Sequence, residues 1–218
     1  MIELTTSMLE GLPKTGETDP IEYYRRPLVG VLFRKRINLG LAMLPERRFA
    51  SALEVGYGAG AVLLALAPAT GRLCGLDLDT DPGPATRLLA SRGHSAELTR
   101  GSVYEMPYET ASFELAASFS MFEHLDEYER GLREVARVVR PGGLFLLGMP
   151  AVNKMMEALF LAIGFRGIDH HHVTTPENVR AKLSATGFSI VSEAHLDVPL
   201  PRPFGVTLYY DWLLRRDE

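Results

Sequence analysis

Residues 52–60 read Ala-Leu-Glu-Val-Gly-Tyr-Gly-Ala-Gly, and they constrain this chain more than any other stretch. A short apolar run meets an acid, Glu54, and then glycines at alternate positions, Gly56, Gly58 and Gly60. Glycine allows dihedrals that other residues avoid and lets another group come close to the backbone. The apolar residues 61–67 that follow suit the start of a helix packed on a sheet. A buried strand, a glycine turn and a helix are how an open α/β sheet builds a nucleotide pocket. With Ala61 in the last place, the same glycines also satisfy a loose dinucleotide fingerprint, so the ligand has to be decided by the rest of the chain.

The composition permits a folded enzyme and argues against several other classes. The chain has 218 residues, of which 46% are hydrophobic, enough for one moderately large domain with a full core. A formal net charge of -4 gives no basic field for nucleic acid. Arg25, Arg26, Arg34, Lys35, Arg36, Arg47 and Arg48 do cluster, and they read as the solvated face of amphipathic helices, with attraction of an acidic substrate or membrane surface as the alternative. Cys74 is the only cysteine, which excludes an internal disulfide and a cysteine zinc site. Residues 1–20 carry four acids and no long apolar core, unlike a signal peptide. The most apolar stretch, 158–165, is far short of a membrane span, so a cytoplasmic location without integral membrane association is expected.

Strand-like and helix-like segments alternate after the glycine turn. Residues 72–77 read as a second strand ending in an acid, followed by a helix over 84–91 and strands over 96–100 and 113–118. Leu132, Val135, Ala136 and Val139 fall at helical spacing, Pro141-Gly142-Gly143 reads as the stop, and 144–149 as a fifth strand. Such alternation calls for a mostly parallel sheet covered on both faces. Thr175, Pro176 and Gly187 frame a helix over 176–186. The extended runs 188–196 and 205–212 follow with only a Pro-rich link between them, so they are expected to pair antiparallel. The expected fold is α/β, a Rossmann-like doubly wound seven-stranded sheet, mostly parallel, with an antiparallel C-terminal strand. Its parts are an N-terminal helical cover (1–47), a cofactor-binding core (48–150), a substrate-side insertion (151–174) and a C-terminal helix and strand pair (175–218).

Six ordered matches make the chain similar to class I S-adenosylmethionine-dependent methyltransferases of the small-molecule type. They are Glu54 to Gly60, Asp77 ending the second strand, Gly101-Ser102-Val103 after the third, Ser112-Phe113-Glu114 entering the fourth, Glu123-His124-Leu125 after it, and Arg140 to Gly143 before the fifth. The resemblance implies S-adenosyl-L-methionine as cofactor and methyl transfer to a small-molecule O, N or C nucleophile by in-line displacement. It places Gly56, Tyr57, Gly58 and Gly60 against the methionine portion, with Glu54 attracting its positive end and Asp77 accepting from the ribose hydroxyls. Leu78 and Val103 would pack on the adenine, and Ser118 and Phe119 would line the pocket at the mouth of the fourth strand. Ser102 departs from the family, where many relatives carry an aspartate that accepts from the adenine amino group; a hydroxyl is a weaker, neutral acceptor.

Catalysis in such enzymes is mainly placement, and a base is needed only where the acceptor is protonated. His124 is the candidate base, a group that titrates near neutral pH just beyond the fourth strand. In quinone-biosynthesis relatives the Glu-His pair joins a metal site that also uses a glutamate three residues earlier. That position is Ser120 here, so no metal is predicted. His170, His171 and His172 cannot all face one ion, and His170 and His171 are taken as candidate substrate contacts. Tyr23 and Tyr24 belong to the expected cover, and Met155, Met156, Leu159, Phe160 and Ile163 to an expected helical roof over the acceptor. Two alternatives stand beside methyl transfer: a nicotinamide-dependent oxidoreductase and a non-catalytic S-adenosylmethionine-binding protein. Glu54, the early third glycine, the Pro141-Gly142-Gly143 turn and the antiparallel ending favour methyl transfer over the first.

Overall fold

The computed structural model describes residues 1–15, 27–151, 173–198 and 206–218. A seven-stranded sheet carries the chain, with strands β1 (Phe49–Val55), β2 (Thr70–Asp77), β3 (Glu97–Arg100), β4 (Phe113–Phe119), β5 (Val139–Pro150), β6 (Phe188–Val198) and β7 (Val206–Arg216). Their spatial order is β3-β2-β1-β4-β5-β7-β6. The first five pair in parallel, while β7 runs antiparallel to both β5 and β6. Central strands are apolar without alternation because both faces are covered, and four consecutive residues of β1, Ala52 to Val55, are buried.

Helices α1 (Pro27–Leu41), α2 (Ala61–Leu66), α3 (Pro82–Ser91), α4 (Tyr128–Val138) and α5 (Pro176–Lys182) cover the sheet. One core layer joins Phe33, Ile37 and Leu41 of α1 to Val62, Leu63 and Leu66 of α2 and to Phe119, Leu146 and Tyr209 of the sheet. The opposite layer joins Leu132 and Val135 of α4 and Val179 of α5 to Phe145, Phe188 and Trp212. No helix among the described residues is long and apolar enough to cross a membrane.

Three local expectations need correction. The helix expected to include Val139 ends at Val138, and Pro141-Gly142-Gly143 lies inside β5 rather than before it. Val139 already pairs with Phe113, and the register shifts before Leu115 pairs with Leu144. Gly142 at φ +70° makes that offset, so the glycines displace a strand instead of stopping a helix. The C-terminal helix also stops early. Thr175 caps it through the Asn178 amide, but α5 ends at Lys182, a 3-10 turn spans Ser184–Thr186, and Gly187 at φ +91° turns the chain. Finally β7 runs to Arg216, four residues past the expected end at Trp212.

The sheet order reverses between β1 and β4, where β2 and β3 lie to one side and β5 to the other. In open α/β sheets ligands bind outside the carboxyl ends of the strands at such a reversal. The glycine turn after β1 and residues 120–124 after β4 flank that point.

Candidate cofactor and acceptor site

All three glycines of the turn have positive φ: Gly56 at +77°, Gly58 at +47° and Gly60 at +86°. Gly56 N–H donates to the Leu76 carbonyl at 2.8 Å, folding the turn back over the end of β2. A Cβ on Gly56 would lie 2.7 Å from Met121 Cγ, so backbone and neighbour both demand glycine. Gly58 differs: among the described residues a Cβ there would meet nothing within 4 Å, which marks the open side of the turn. Gly60 serves as N-cap of α2, and its N–H donates to the Tyr57 carbonyl at 2.8 Å.

Asp77 ties this turn to β2. Its Oδ2 accepts from Gly58 N–H at 2.9 Å, and its Oδ1 accepts from the amides of Asp79 at 3.0 Å and Thr80 at 2.9 Å. A carboxylate has about four lone-pair sites, so capacity remains for a ligand hydroxyl. Glu54 lies beneath, buried, and its Oε2 has no hydrogen-bond partner among the described residues. Burial holds its carboxyl well above the usual range, the negative charge of Asp77 adds to this, and the Leu63 amide pulls the other way. Buried acids are normally paired or hydrogen-bonded. An orphaned acid oxygen under an open glycine turn fits a cofactor with a cationic, donor-bearing end, and Asp77 fits one with a vicinal diol.

The other expected contacts are distributed around this frame. The Tyr57 ring packs on β2 where a Cβ at Gly75 would lie 2.8 Å from it, and burial pushes its hydroxyl up to about 12. Leu78 is 57% exposed beside Asp77, an apolar surface without cover, and Val103 is buried. Ser102 Oγ accepts from the Tyr104 amide at 3.2 Å. Ser118 is fully buried and its hydroxyl donates to the Val55 carbonyl at 2.9 Å, which joins β4 to β1. Phe119 packs across Gly148 and Gly40, where added Cβ atoms would lie 2.5 Å and 3.1 Å from its ring. Tyr23, Tyr24, His170, His171, His172 and the helical roof lie outside the described residues. Among the described residues no group of three or more His, Cys, Asp or Glu is placed to hold a metal.

Beyond β4 the side chains sort by burial. His124 is 46% exposed in the 3-10 turn Phe122–His124, with Nε2 3.9 Å from Glu123 Oε1. Glu123 is 1% exposed, and burial pushes its carboxyl up to about 8 against the pull of its own backbone amide and of Arg36. Arg36, grouped from sequence with a solvated basic face, is instead buried, and its Nη1 donates to Ser120 Oγ at 3.0 Å. Ser120 Oγ also shares a hydrogen bond with Tyr209 Oη at 2.9 Å, and the guanidinium stacks 5.0 Å from the Tyr209 ring. Asp211 of β7 is fully buried, pushed up to about 8 by burial with Arg36 opposing, and neither carboxyl oxygen has a hydrogen-bond partner among the described residues. Sequence reasoning did not single out Ser120, Tyr209 or Asp211 for the site. The available signal was an acid at an inward position of an otherwise apolar strand.

Residues 53–147 match the family model described as a methyltransferase domain. A probable S-adenosylmethionine-dependent methyltransferase of Mycolicibacterium smegmatis is 33% identical over 98 residues, 45% of this chain and 37% of the relative. The malonyl-[acyl-carrier protein] O-methyltransferase of Pseudescherichia vulneris is 32% identical over 112 residues, 51% of this chain and 43% of the relative. The chain thus spans about two fifths of the length of the first curated relatives it matches. Among solved structures, the Burkholderia thailandensis 1,6-didemethyltoxoflavin-N1-methyltransferase, with bound 1,6-didemethyltoxoflavin and S-adenosylhomocysteine, superposes with a TM-score of 0.62. It is 18% identical, with 86% of this chain and 78% of that one covered, and so shares the fold. The glycine turn, Asp77, the strand order and the methyltransferase-domain match at residues 53–147 together make the chain similar to the class I S-adenosylmethionine-dependent methyltransferases.

Proposed function

We propose that the protein transfers a methyl group from S-adenosylmethionine to a nucleophilic O, N or C atom of a small molecule. The observation that carries this reading is the frame at the strand-order reversal, where Asp77 accepts from Gly58 N–H and the buried Glu54 leaves one acceptor oxygen unpartnered. Gly56, Gly58 and Gly60 hold the methionine portion against backbone, and Glu54 faces its ammonium. Asp77 accepts from the ribose hydroxyls through its remaining lone pairs. Leu78 and Val103 flank the adenine, and Ser102 offers a hydroxyl where many relatives carry a carboxylate.

The bound cofactor supplies a methyl group on a sulfonium, whose departure leaves a neutral thioether. The chain's part is to align the acceptor atom behind that carbon and to exclude water, which accounts for much of the acceleration in such reactions. His124 is the residue we assign to take the acceptor's proton when it has one. Glu123 Oε1, 3.9 Å from His124 Nε2, favours the resulting imidazolium when ionised. Calorimetric titration with S-adenosylmethionine, S-adenosylhomocysteine and NAD tests the reading. Binding of both sulfur ligands without NAD is expected; binding of NAD alone would overturn it.

A further inference from the structure

We infer that Asp211 and Glu123, together with Arg36, Ser120 and Tyr209, form the subsite that receives a protonated nitrogen of the methyl acceptor. The inference rests on the methyl-transfer reading and adds the chemical class of the acceptor to it.

Position comes first. Across the sheet Phe119 of β4 pairs with Gly148 of β5, and Gly148 pairs with Asp211 of β7. Paired residues share a face and neighbouring strands lie about 4.8 Å apart, so Asp211 stands about 10 Å from the end of β4. Tyr209, two residues earlier in β7, points to the same face. From the helix side α1 brings Arg36, bonded to Ser120, and from the end of β4 comes Glu123. The carbonyl of Glu123 accepts from the amides of Val173 at 2.8 Å and Thr174 at 3.3 Å, which fixes the turn that carries it.

The polar balance is unusual for an interior. Among the described residues, Asp211 Oδ1, Asp211 Oδ2 and Glu123 Oε2 are all buried acceptors without a hydrogen bond, and Thr174 Oγ1 beside Glu123 is also buried without a partner. Asp211 Oδ1 is seated between two glycines, since a Cβ on Gly148 would lie 2.7 Å from it and one on Gly40 2.8 Å. Two carboxyls thus face one guanidinium among the described residues, with His124 at 3.9 Å from Glu123 on the outer side. A folded chain rarely leaves three buried acid oxygens without donors. An ammonium supplies up to three N–H donors and a positive charge that favours the ionised form of both acids. A hydroxyl supplies one donor and no charge, and a carboxylate supplies no donor and a repelling negative charge. The upward displacement of both acids, caused by burial, agrees with a site completed by a cation.

Benzylamine, benzyl alcohol and benzoate share one ring and differ in the head group, which makes them suitable probes. Each is titrated into the full chain saturated with S-adenosylhomocysteine, with binding read by calorimetry. We expect benzylamine to bind at least about tenfold more tightly than the other two, and Asp211→Asn to abolish that preference while S-adenosylhomocysteine affinity stays within about twofold. Equal binding of the three, no binding of any, preference for benzoate, or an unchanged preference in the folded variant overturns the inference. The head-group comparison needs no variant and decides the matter if Asp211→Asn fails to fold. Failure to bind S-adenosylhomocysteine in the first step refutes the methyl-transfer reading instead.

Discussion

Replacing Glu123 with glutamine is expected to stabilise the protein near and above neutral pH and to leave it almost unchanged near pH 5. The carboxyl has an ordinary value of 4.5 and is pushed to about 8 in the folded chain by burial. Between those values the unfolded chain has released its proton while the folded chain keeps it. The unfolded state then binds fewer protons, so stability falls as pH rises. The slope is about 1.4 kcal/mol per pH unit, starting near 4.5 and levelling off above about 8. From about pH 5 to pH 7 this one group removes about 3 kcal/mol, a large part of the stability of a typical domain. Glutamine resembles the protonated acid in size and charge and does not titrate, so the variant lacks that decline. Urea denaturation at several pH values, followed by the fluorescence of the single, buried Trp212, gives both curves. The difference between variant and wild type should widen by about 3 kcal/mol over that range. Curves that stay parallel would show that Glu123 is ionised in the folded chain and would refute the burial argument. Asp211→Asn should act in the same direction, since burial pushes that carboxyl from 3.8 to about 8.

Gly56→Ala meets both a φ of +77° and Met121 Cγ at 2.7 Å; it should cost about 1–3 kcal/mol of stability by denaturation and weaken S-adenosylhomocysteine binding by calorimetry. Asp77→Ala removes the acceptor for the amides of Gly58, Asp79 and Thr80, so affinity for the same ligand should fall more than about tenfold in calorimetry. Glu134 accepts from Arg137 Nη2 at 2.7 Å and Nε at 2.8 Å and from the Met106 amide at 2.8 Å, and the Arg137 guanidinium holds its carboxyl below the usual range. Its contribution is present above the ordinary value near 4.5 and is lost as pH falls through the lower folded value. Glu134→Ala should therefore cost about 2 kcal/mol at pH 7 and progressively less in acid, as read from urea midpoints.

The parts of the fold that were legible in the sequence are those written in short local patterns. The glycine turn, the acid ending β2 and the apolar strands of the parallel sheet depend on neighbours along the chain, and each could be read before any packing was known. Pro141-Gly142-Gly143 misled because a glycine with positive φ serves equally as a helix stop and as an offset within a strand. Only the pairing of Val139 with Phe113 decides between them. The site divides in the same way. His124 attracted attention for its intrinsic pKa, whereas Glu123 and Asp211 are acids whose titration the fold displaces by burial. Their displacement comes from burial among elements distant in sequence, which no local pattern records. Arg36 looked like a surface charge on a basic helix until its contacts with Ser120 and the Tyr209 ring were formed.

Gly148 has a consequence for how such an enzyme can diversify. Its absent side chain is the point at which Phe119, Asp211 and Tyr209 converge, with an added Cβ 2.5, 2.7 and 2.9 Å from them respectively. On the methyl-transfer reading proposed above, the wall next to the methyl donor and the polar wall opposite the acceptor therefore share one atom-sized gap. A change of acceptor specificity that enlarges residue 148 would be transmitted to the aromatic ring at the donor side, so the two halves of the pocket cannot be altered independently through this position. Routes to a new substrate are left to the segments that surround the gap, while the gap itself acts as a fixed hinge of shape between donor and acceptor.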